Sequence, residues 1–135
     1  SRGLGDWYKR PALCASDTPY TRSSQLFGPD QAESFDIIAQ PHALLTDLIA
    51  VYQEGLTRPL PFFPRSAWEY VSAGGDSAKA AARTWAGNDY AWGESEDVYN
   101  QLAFRDNGIA ILEGECEQLA ARILGPLQAN RVVVR

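Results

Sequence analysis

The residues with the most evident capacity for chemistry are four acids in "GNDYAWGESED", residues 87–97. Asp89, Glu94, Glu96 and Asp97 would together suit a divalent cation, because hard cations prefer carboxylate oxygens. The same side chains also suit a solvated loop that leads into a helix with negative charge in its first turn. This second interpretation is the simpler one. The sequence therefore predicts no metal ligand and no cofactor.

A nuclease of the restriction-enzyme type needs an aspartate followed by Glu-x-Lys on a strand, so that the carboxylates hold a metal and the lysine orients water. The chain has only two lysines, Lys9 and Lys79, and the residues two positions before them are Trp7 and Ser77. It also lacks a Gly-x-x-x-x-Gly-Lys phosphate loop. The one histidine, His42, stands at a predicted helix start, where a surface role is more common than catalysis. We expect no catalytic residue.

The two cysteines, Cys14 and Cys116, have no histidine or further cysteine at the spacing of a zinc site. No apolar run approaches the roughly 20 residues of a membrane helix, and no signal-peptide pattern is visible. We therefore expect two reduced, buried thiols in a cytoplasmic protein without membrane contact.

The aromatic residues suggest two kinds of surface. Trp68, Trp85 and Trp92 would suit the stacking of bases in single-stranded nucleic acid. The net charge of −5 argues against that role, since binding to the phosphate backbone of nucleic acid needs a basic surface. The basic residues are mostly arginines, which serve protein interfaces as readily as nucleic acid. Core packing or protein docking is therefore the favoured interpretation.

Short elements must position these side chains. Residues 1–22 predict a short helix or extended segment and then a loop. Gly28-Pro29-Asp30 is a turn signal, which predicts a β-hairpin that pairs roughly 23–28 with 33–39. The closing "NRVVVR" predicts a short strand or a frayed tail.

The centre of the chain is punctuated by prolines. Apolar residues at helical spacing predict a helix over 41–55. "RPLPFFP" then predicts an extended crossing, because proline removes a donor and clashes inside a helix, and a helix over 64–72 follows. Phe62 and Phe63 of the crossing are expected to fill the core.

Three further helices are predicted, at 77–86, about 96–105 and about 111–124. Their expected caps and stops are, in order, Asp76 or Ser77, Ser95, and Gly125-Pro126. The side chains expected to face inward are Val98, Tyr99, Leu102 and Ala103 in the second of these helices and Leu112, Cys116, Leu119, Ala120 and Ile123 in the third. The predicted fold class is α+β, helix-dominated, with a small β-hairpin followed by about four to five helices. The length suits a single domain, residues 1–135.

Four stretches, in order along the chain, carry a resemblance to a known family. They are "ALCAS" (12–16), "YQEGLTRPLPFFPRSAW" (52–68), "GESEDVYNQLAFR" (93–105) and the closing "ILGPL". The chain thereby resembles the C-terminal part of the gamma chain of bacterial exodeoxyribonuclease V, the RecC family of the RecBCD helicase–nuclease.

This resemblance implies a non-catalytic role. The C-terminal part of the family's chain resembles an inactivated restriction-nuclease-like fold without its metal-binding set, which agrees with the missing Glu-x-Lys. The chain would be the C-terminal piece of a much longer RecC-like chain in an ATP-dependent exodeoxyribonuclease of double-strand break repair and recombination. It would dock the alpha and beta chains, the helicase and nuclease subunits, and meet DNA through the whole complex. Trp68, Tyr70 and Trp92 are the candidate partner-binding residues.

Two alternatives stay open. The chain would be a module that contacts single-stranded DNA in the same complex if its arginines formed one basic face. The residues for that role are Arg58, Arg65, Arg83 and Arg105. It would be an unrelated small hydrolase if a pocket brought acids together.

Overall fold

A computed structural model describes residues 9–16, 23–27, 32–105 and 108–134. Over these residues the fold is helix-dominated α+β, as the sequence predicts, with six α-helices and one sheet of three antiparallel strands. None of the helices among them is both long and apolar enough to cross a bilayer.

The contacts within the chain group into two compact units. The first falls within Ser1–Glu54 and Ala129–Arg135, and the second is Gly55–Gln128. Each is described below by itself, and the single domain over 1–135 stays a prediction.

The first unit contains helix α1 (Lys9–Ala15) and strands β1 (Ser24–Phe27), β2 (Ala32–Phe35) and β3 (Arg131–Val134). The predicted hairpin is confirmed, with β1 and β2 antiparallel, although its predicted turn at 28–30 lies outside the described residues. The end of the chain forms a strand that completes the sheet in the order β1-β2-β3.

The pairing of β2 with β3 is supported by a partly buried charge pair. Glu33 and Arg131 lie on these two strands, and the guanidinium donates a hydrogen bond to the carboxylate. Phe35 and Glu33 are the buried residues of β2, which alternate with half-buried ones as expected of a strand with one covered face. Sequence periodicity alone shows no partner for the tail, because that partner lies about a hundred residues away.

Helix α2 (Pro41–Gly55) has the predicted bounds. Proline suits its first turn, because the missing N–H is one of those without a helical acceptor. His42 is exposed in that turn, in agreement with the surface role expected of it.

The second unit is built on helices α3 (Pro64–Ser72) and α4 (Ser77–Ala86), which have the predicted bounds. Helix α3 follows the predicted extended crossing, in which Phe63 has φ −109° and ψ 107°, the conformation that a following proline favours. A 3-10 turn (Gly74–Asp76) joins the two helices. Asp76 is the N-cap of α4, but its side chain makes no capping hydrogen bond within the described residues.

Phe63 lies at the centre of the second unit's core. Its ring centroid is 4.4 Å from that of Trp85 and 5.4 Å from that of Phe104, the latter in an edge-on arrangement. The buried residues of this cluster are Phe63, Ala81, Trp85, Leu112 and Cys116. The core role predicted for Phe63 is confirmed, and Phe62 is half-buried.

The helix predicted over 96–105 is shorter and differently capped. Helix α5 spans Val98–Ala103 and follows a 3-10 turn (Glu94–Glu96) that contains Ser95. Its cap is Asp97, whose Oδ1 accepts hydrogen bonds from Tyr99 N at 2.9 Å and Asn100 N at 3.2 Å. The prediction of Ser95 was wrong because the carboxylate, two residues later, reaches the first free amides of the helix.

The inward face predicted for α5 was also wrong. Its four residues, Val98, Tyr99, Leu102 and Ala103, are all exposed. The physical reason lies on the opposite face. Asn100 Nδ2 donates to Glu94 O at 2.8 Å, and Gln101 Nε2 donates to Ser95 O at 3.1 Å. These bonds hold the polar face against the preceding 3-10 turn (Glu94–Glu96).

Helix α6 spans Glu115–Ala129 after a 3-10 turn (Gly108–Leu112), so the predicted bounds of 111–124 were wrong. All five residues predicted to face inward are buried. Gly125-Pro126 does not end the helix, because Leu124 and Leu127 continue its buried face on both sides of the proline. Their burial offsets the hydrogen bond that Pro126 cannot make.

Candidate functional site

The candidate site is the segment 88–103, called here the acidic-aromatic segment. Its start is held against helix α4 by two glycines. A Cβ at Gly93 would lie 2.4 Å from Trp85 O, and one at Gly87 would lie 2.4 Å from Gly93 N. Gly87 also has φ +74°, which favours glycine. The backbone of the segment therefore touches the end of α4 directly.

A tight turn follows Gly87. Asn88 N donates to Ala91 O at 2.8 Å, and Asn88 Oδ1 accepts from Tyr90 N at 2.9 Å and from Ala91 N at 3.0 Å. An asparagine side chain that bonds its own backbone two residues on is a common way to fix a turn. This turn places the Tyr90 ring in solvent, 98% exposed.

Glu94 connects the segment to helix α3. Its carboxylate accepts hydrogen bonds from Arg65 N at 2.9 Å, Ser66 N at 2.7 Å and Ser66 Oγ at 2.7 Å. The residue at the N-cap of α3 is Phe63, whose side chain has no acceptor, so Glu94 caps this helix from 28 positions further along the chain. The negative charge also suits the positive end of the helix dipole.

Two other acids of the segment, Glu96 and Asp97, likewise accept hydrogen bonds from backbone amides. Glu96 Oε1 accepts from Gly93 N at 3.4 Å, and Asp97 caps α5. Asp89 is exposed in the turn. Among residues 9–16, 23–27, 32–105 and 108–134, no three or more His, Cys, Asp or Glu side chains lie together as metal ligands would. The structure thus does not bring these four acids together as a set of ligands.

The three predicted partner-binding residues occupy different environments. Trp92 is 77% exposed, and its carbonyl oxygen accepts a hydrogen bond from Arg65 Nη1 at 2.7 Å. Tyr70 packs against the core of the second unit and donates its hydroxyl to Leu112 O at 2.8 Å. Trp68 is half-buried, two positions from Tyr70, so the two side chains do not share a face of α3. The role of these residues stays a prediction.

The four arginines considered for DNA also differ. Arg58 forms an ion pair with Glu115, which holds the pKa of that carboxyl below its usual value. Arg65 is bonded to Trp92 O. Arg83 and Arg105 are exposed, and Arg105 lines an open cavity of about 360 Å³ with Trp85, Asn100 and Phe104.

Four residues of this site were not predicted from the sequence. Tyr90, Val98, Tyr99 and Leu102 are exposed, whereas helical periodicity assigned the last three to the core. A signal was present in the sequence. Asn100 and Gln101 lie on the other face of the same turns, and their side-chain amides donate to backbone carbonyls.

Comparison with known proteins identifies a family. A family model described as the RecC C-terminal domain matches residues 1–75. No curated protein and no solved structure matches the chain significantly. The matched residues include α1 to α3 and the β-hairpin, and the acidic-aromatic segment follows them.

Proposed function

Because this chain belongs to the RecC C-terminal domain family, we propose that it is a non-catalytic docking module of a RecBCD-type complex. RecC is a subunit of an ATP-dependent helicase–nuclease of DNA repair and recombination. The module would be the C-terminal piece of a RecC-like chain, in the cytoplasm with its DNA. It would bind the alpha and beta chains, the helicase and nuclease subunits.

The observation that carries this proposal is a concentration of exposed apolar side chains on a well-held segment. Five exposed large apolar side chains fall within the acidic-aromatic segment: Tyr90, Trp92, Val98, Tyr99 and Leu102. Apolar surface gathered in one place marks interaction sites more often than scattered apolar residues do. Tyrosine and tryptophan are also enriched at interfaces.

A non-catalytic role agrees with the chemistry of the chain. A nuclease-like fold without its metal-binding set is one explanation of a domain that has acids but no Glu-x-Lys. In this chain Glu94 and Asp97 serve as helix caps. A carboxylate bound to backbone amides has fewer lone pairs for a metal.

Assembly of the chain with its proposed partner subunits tests this proposal. The chain, produced in its RecC-like parent and alone, is mixed with the alpha and beta chains, and complexes are detected by sedimentation. Binding by the chain alone is the expected result, and a chain that joins no complex overturns the proposal. Degradation of DNA by the chain alone with magnesium or manganese, lost in Glu94→Gln or Asp97→Asn, overturns its non-catalytic part.

The hydrolase alternative has one structural feature to consider. Glu113 and Glu115 line a cavity of about 290 Å³ beside Pro59 and Pro61. Glu115 is paired with Arg58, and its lowered pKa makes it a poor proton donor at neutral pH. This cavity therefore offers no support for a hydrolase that uses Glu115 as its general acid.

The DNA-contacting alternative is favoured by the exposed rings of Tyr90, Trp92 and Tyr99, since bases stack on aromatic side chains. The carboxylates between these rings oppose it, because they repel phosphates. We therefore place it second.

A further inference from the structure

We propose that the outward face of α5, formed by Val98, Tyr99 and Leu102, binds an apolar segment of a partner subunit that is flanked by arginine or lysine. This inference rests on the proposed function and assigns the docking surface and the chemistry of its partner. The proposed docking surface therefore lies on α5 and does not include Trp68 and Tyr70 of α3.

The first step is the orientation of the helix. Residues 98, 99 and 102 lie on one side, because positions three and four apart are neighbours on a helix surface. They are 63%, 81% and 57% exposed, respectively. On the other side, the Asn100 and Gln101 amides are bonded to the Glu94 and Ser95 carbonyls. Rotation of α5 to bury its apolar side would break both bonds.

The second step is the rigidity of the platform. The 3-10 turn before α5 is fixed to α3 through Glu94, and the segment before that turn is fixed to α4 at Gly93. Phe104, directly after α5, packs into the core beside Phe63. A surface held at both ends loses little conformational freedom when it binds, which favours affinity.

The third step is charge. Residues 88–103 contain four carboxylates and no lysine or arginine, in a chain whose net charge is −5. Three of these acids, Asp89, Glu96 and Asp97, are exposed in the same segment as the apolar face. Complementary charge steers association and excludes wrong partners, so a basic edge is expected on the partner.

The same charge excludes two other occupants. A contact between two copies of this surface would bring two acidic segments together, and like charges brought close to one another are unfavourable. Nucleic acid would bring phosphates to the same carboxylates. A basic, apolar protein segment is the occupant that matches both properties of the surface.

The experiment measures the affinity of the chain for the recombinant alpha and beta chains at low and at high salt. The Tyr99→Ser/Leu102→Ser variant tests the apolar face, and Leu56→Ser/Ile109→Ser is its control, since both control residues are exposed outside the acidic-aromatic segment. Asp89→Lys/Glu96→Lys tests the acids, with Asp76→Lys/Glu113→Lys as control. Thermal melting of every variant checks the fold.

We expect the first variant to weaken binding about tenfold or more with little change in melting, as truncation of central interface residues does. The Asp89→Lys/Glu96→Lys variant is expected to weaken binding at low salt, with the difference falling as salt screens the charges. Both controls should bind as the wild type does.

Three results would overturn the inference. The first is wild-type affinity in the Tyr99→Ser/Leu102→Ser variant while the wild type binds, which leaves the proposed function standing. The second is a dimer of the wild-type chain that this variant abolishes, which assigns the surface to a second copy. The third is binding of a labelled single-stranded oligonucleotide that this variant abolishes, which assigns it to nucleic acid. A wild-type chain that binds neither subunit overturns the proposed function as well.

Discussion

Phe63 and Trp92 are aromatic residues that meet opposite surroundings within one unit. Phe63 is 1% exposed and touches Trp85 and Phe104, whereas the Trp92 ring is 77% exposed. The free energy that each ring contributes to folding follows from the surface that it covers, since buried apolar area stabilises and exposed area does not.

The two residues should therefore respond differently to truncation. Phe63→Ala is expected to lower the free energy of unfolding by about 3–5 kcal/mol, because it leaves a cavity in the core. Trp92→Ala is expected to change it by less than about 0.5 kcal/mol, as is usual for surface substitutions. Urea unfolding of both variants measures this. Equal destabilisation by the two changes would show that Trp92 belongs to the core.

The ionisation of Cys116 is expected to make the folding stability depend on pH, and the sign of this dependence follows from the direction of its pKa shift. Burial raises the pKa of its thiol to about 11, from a usual value of 9.0. The unfolded chain therefore ionises this thiol first as the pH rises. The stability that Cys116 contributes is complete below pH 9 and is lost between pH 9 and pH 11.

We expect the wild type to lose about 1–3 kcal/mol more stability than Cys116→Ala between pH 8 and pH 11, since one pKa unit corresponds to about 1.4 kcal/mol. Subtraction of the variant's profile removes the contributions of groups that do not interact with Cys116. Tyr70, whose pKa is raised by burial and by the charge of Cys116, contributes part of the difference. Urea unfolding across this range measures the difference. Rapid alkylation of native Cys116 by iodoacetamide at pH 8 would contradict the prediction.

At the scale of elements, helix α3 depends on a residue outside it. Pro64 has no N–H, and the amides of Arg65 and Ser66 both donate to Glu94. An uncapped helix start in a partly buried place leaves donors without acceptors, which costs more than an average hydrogen bond gains.

Glu94→Ala should accordingly lower the free energy of unfolding by about 1–3 kcal/mol. Glu96→Ala is the matched control, because Glu96 makes a single long hydrogen bond to Gly93 N, and it should cost less. Glu94→Gln retains one carbonyl oxygen as an acceptor and should lie between the two. Thermal melting orders the three variants, and a Glu96→Ala protein less stable than Glu94→Ala would refute the capping role.

The elements also show how much of the fold the sequence predicts. Helices α2, α3 and α4 have the predicted bounds, because prolines, glycines and apolar spacing mark them locally. Helix α5 does not, because its orientation depends on side-chain bonds to carbonyls six positions earlier. The helix end predicted at Gly125-Pro126 was wrong for a related reason. Burial of the flanking leucines outweighs the local preference of glycine and proline to end a helix.

The candidate site was predicted in part. The sequence indicated Trp92 and the acids, but the presence of an acid does not say whether it binds an amide, a cation or water. That distinction requires distances, such as those from Glu94 to the amides of α3. The apolar face of α5 was assigned to the core because an apolar stripe alone does not distinguish a core from a docking surface.

At the scale of the whole molecule, charge governs the encounter with DNA. The chain has a net charge of −5, and two of the four arginines considered for phosphate contact have partners within the chain, Arg58 with Glu115 and Arg65 with Trp92 O. Such a surface gives little of the counterion release that drives non-specific binding.

The chain alone should bind single- or double-stranded DNA no better than about 10⁻⁴ M at moderate salt, the weak end of non-specific affinity. Fluorescence anisotropy with labelled oligonucleotides measures this, with a basic DNA-binding domain as positive control. Micromolar affinity that Arg83→Ala and Arg105→Ala reduce would support the DNA-contacting alternative.

The contacts of Phe63 and Glu94 determine where the chain can be truncated without loss of the fold of the second unit. The family match ends at residue 75, yet Trp85, Phe104 and the carboxylate that caps α3 all come from later positions. A polypeptide truncated at the end of the match would leave the Phe63 ring in water and two amides of α3 without their acceptor. The boundary of family similarity is therefore not a boundary of folding, and a gene fragment that encodes the second unit has to extend through Gln128.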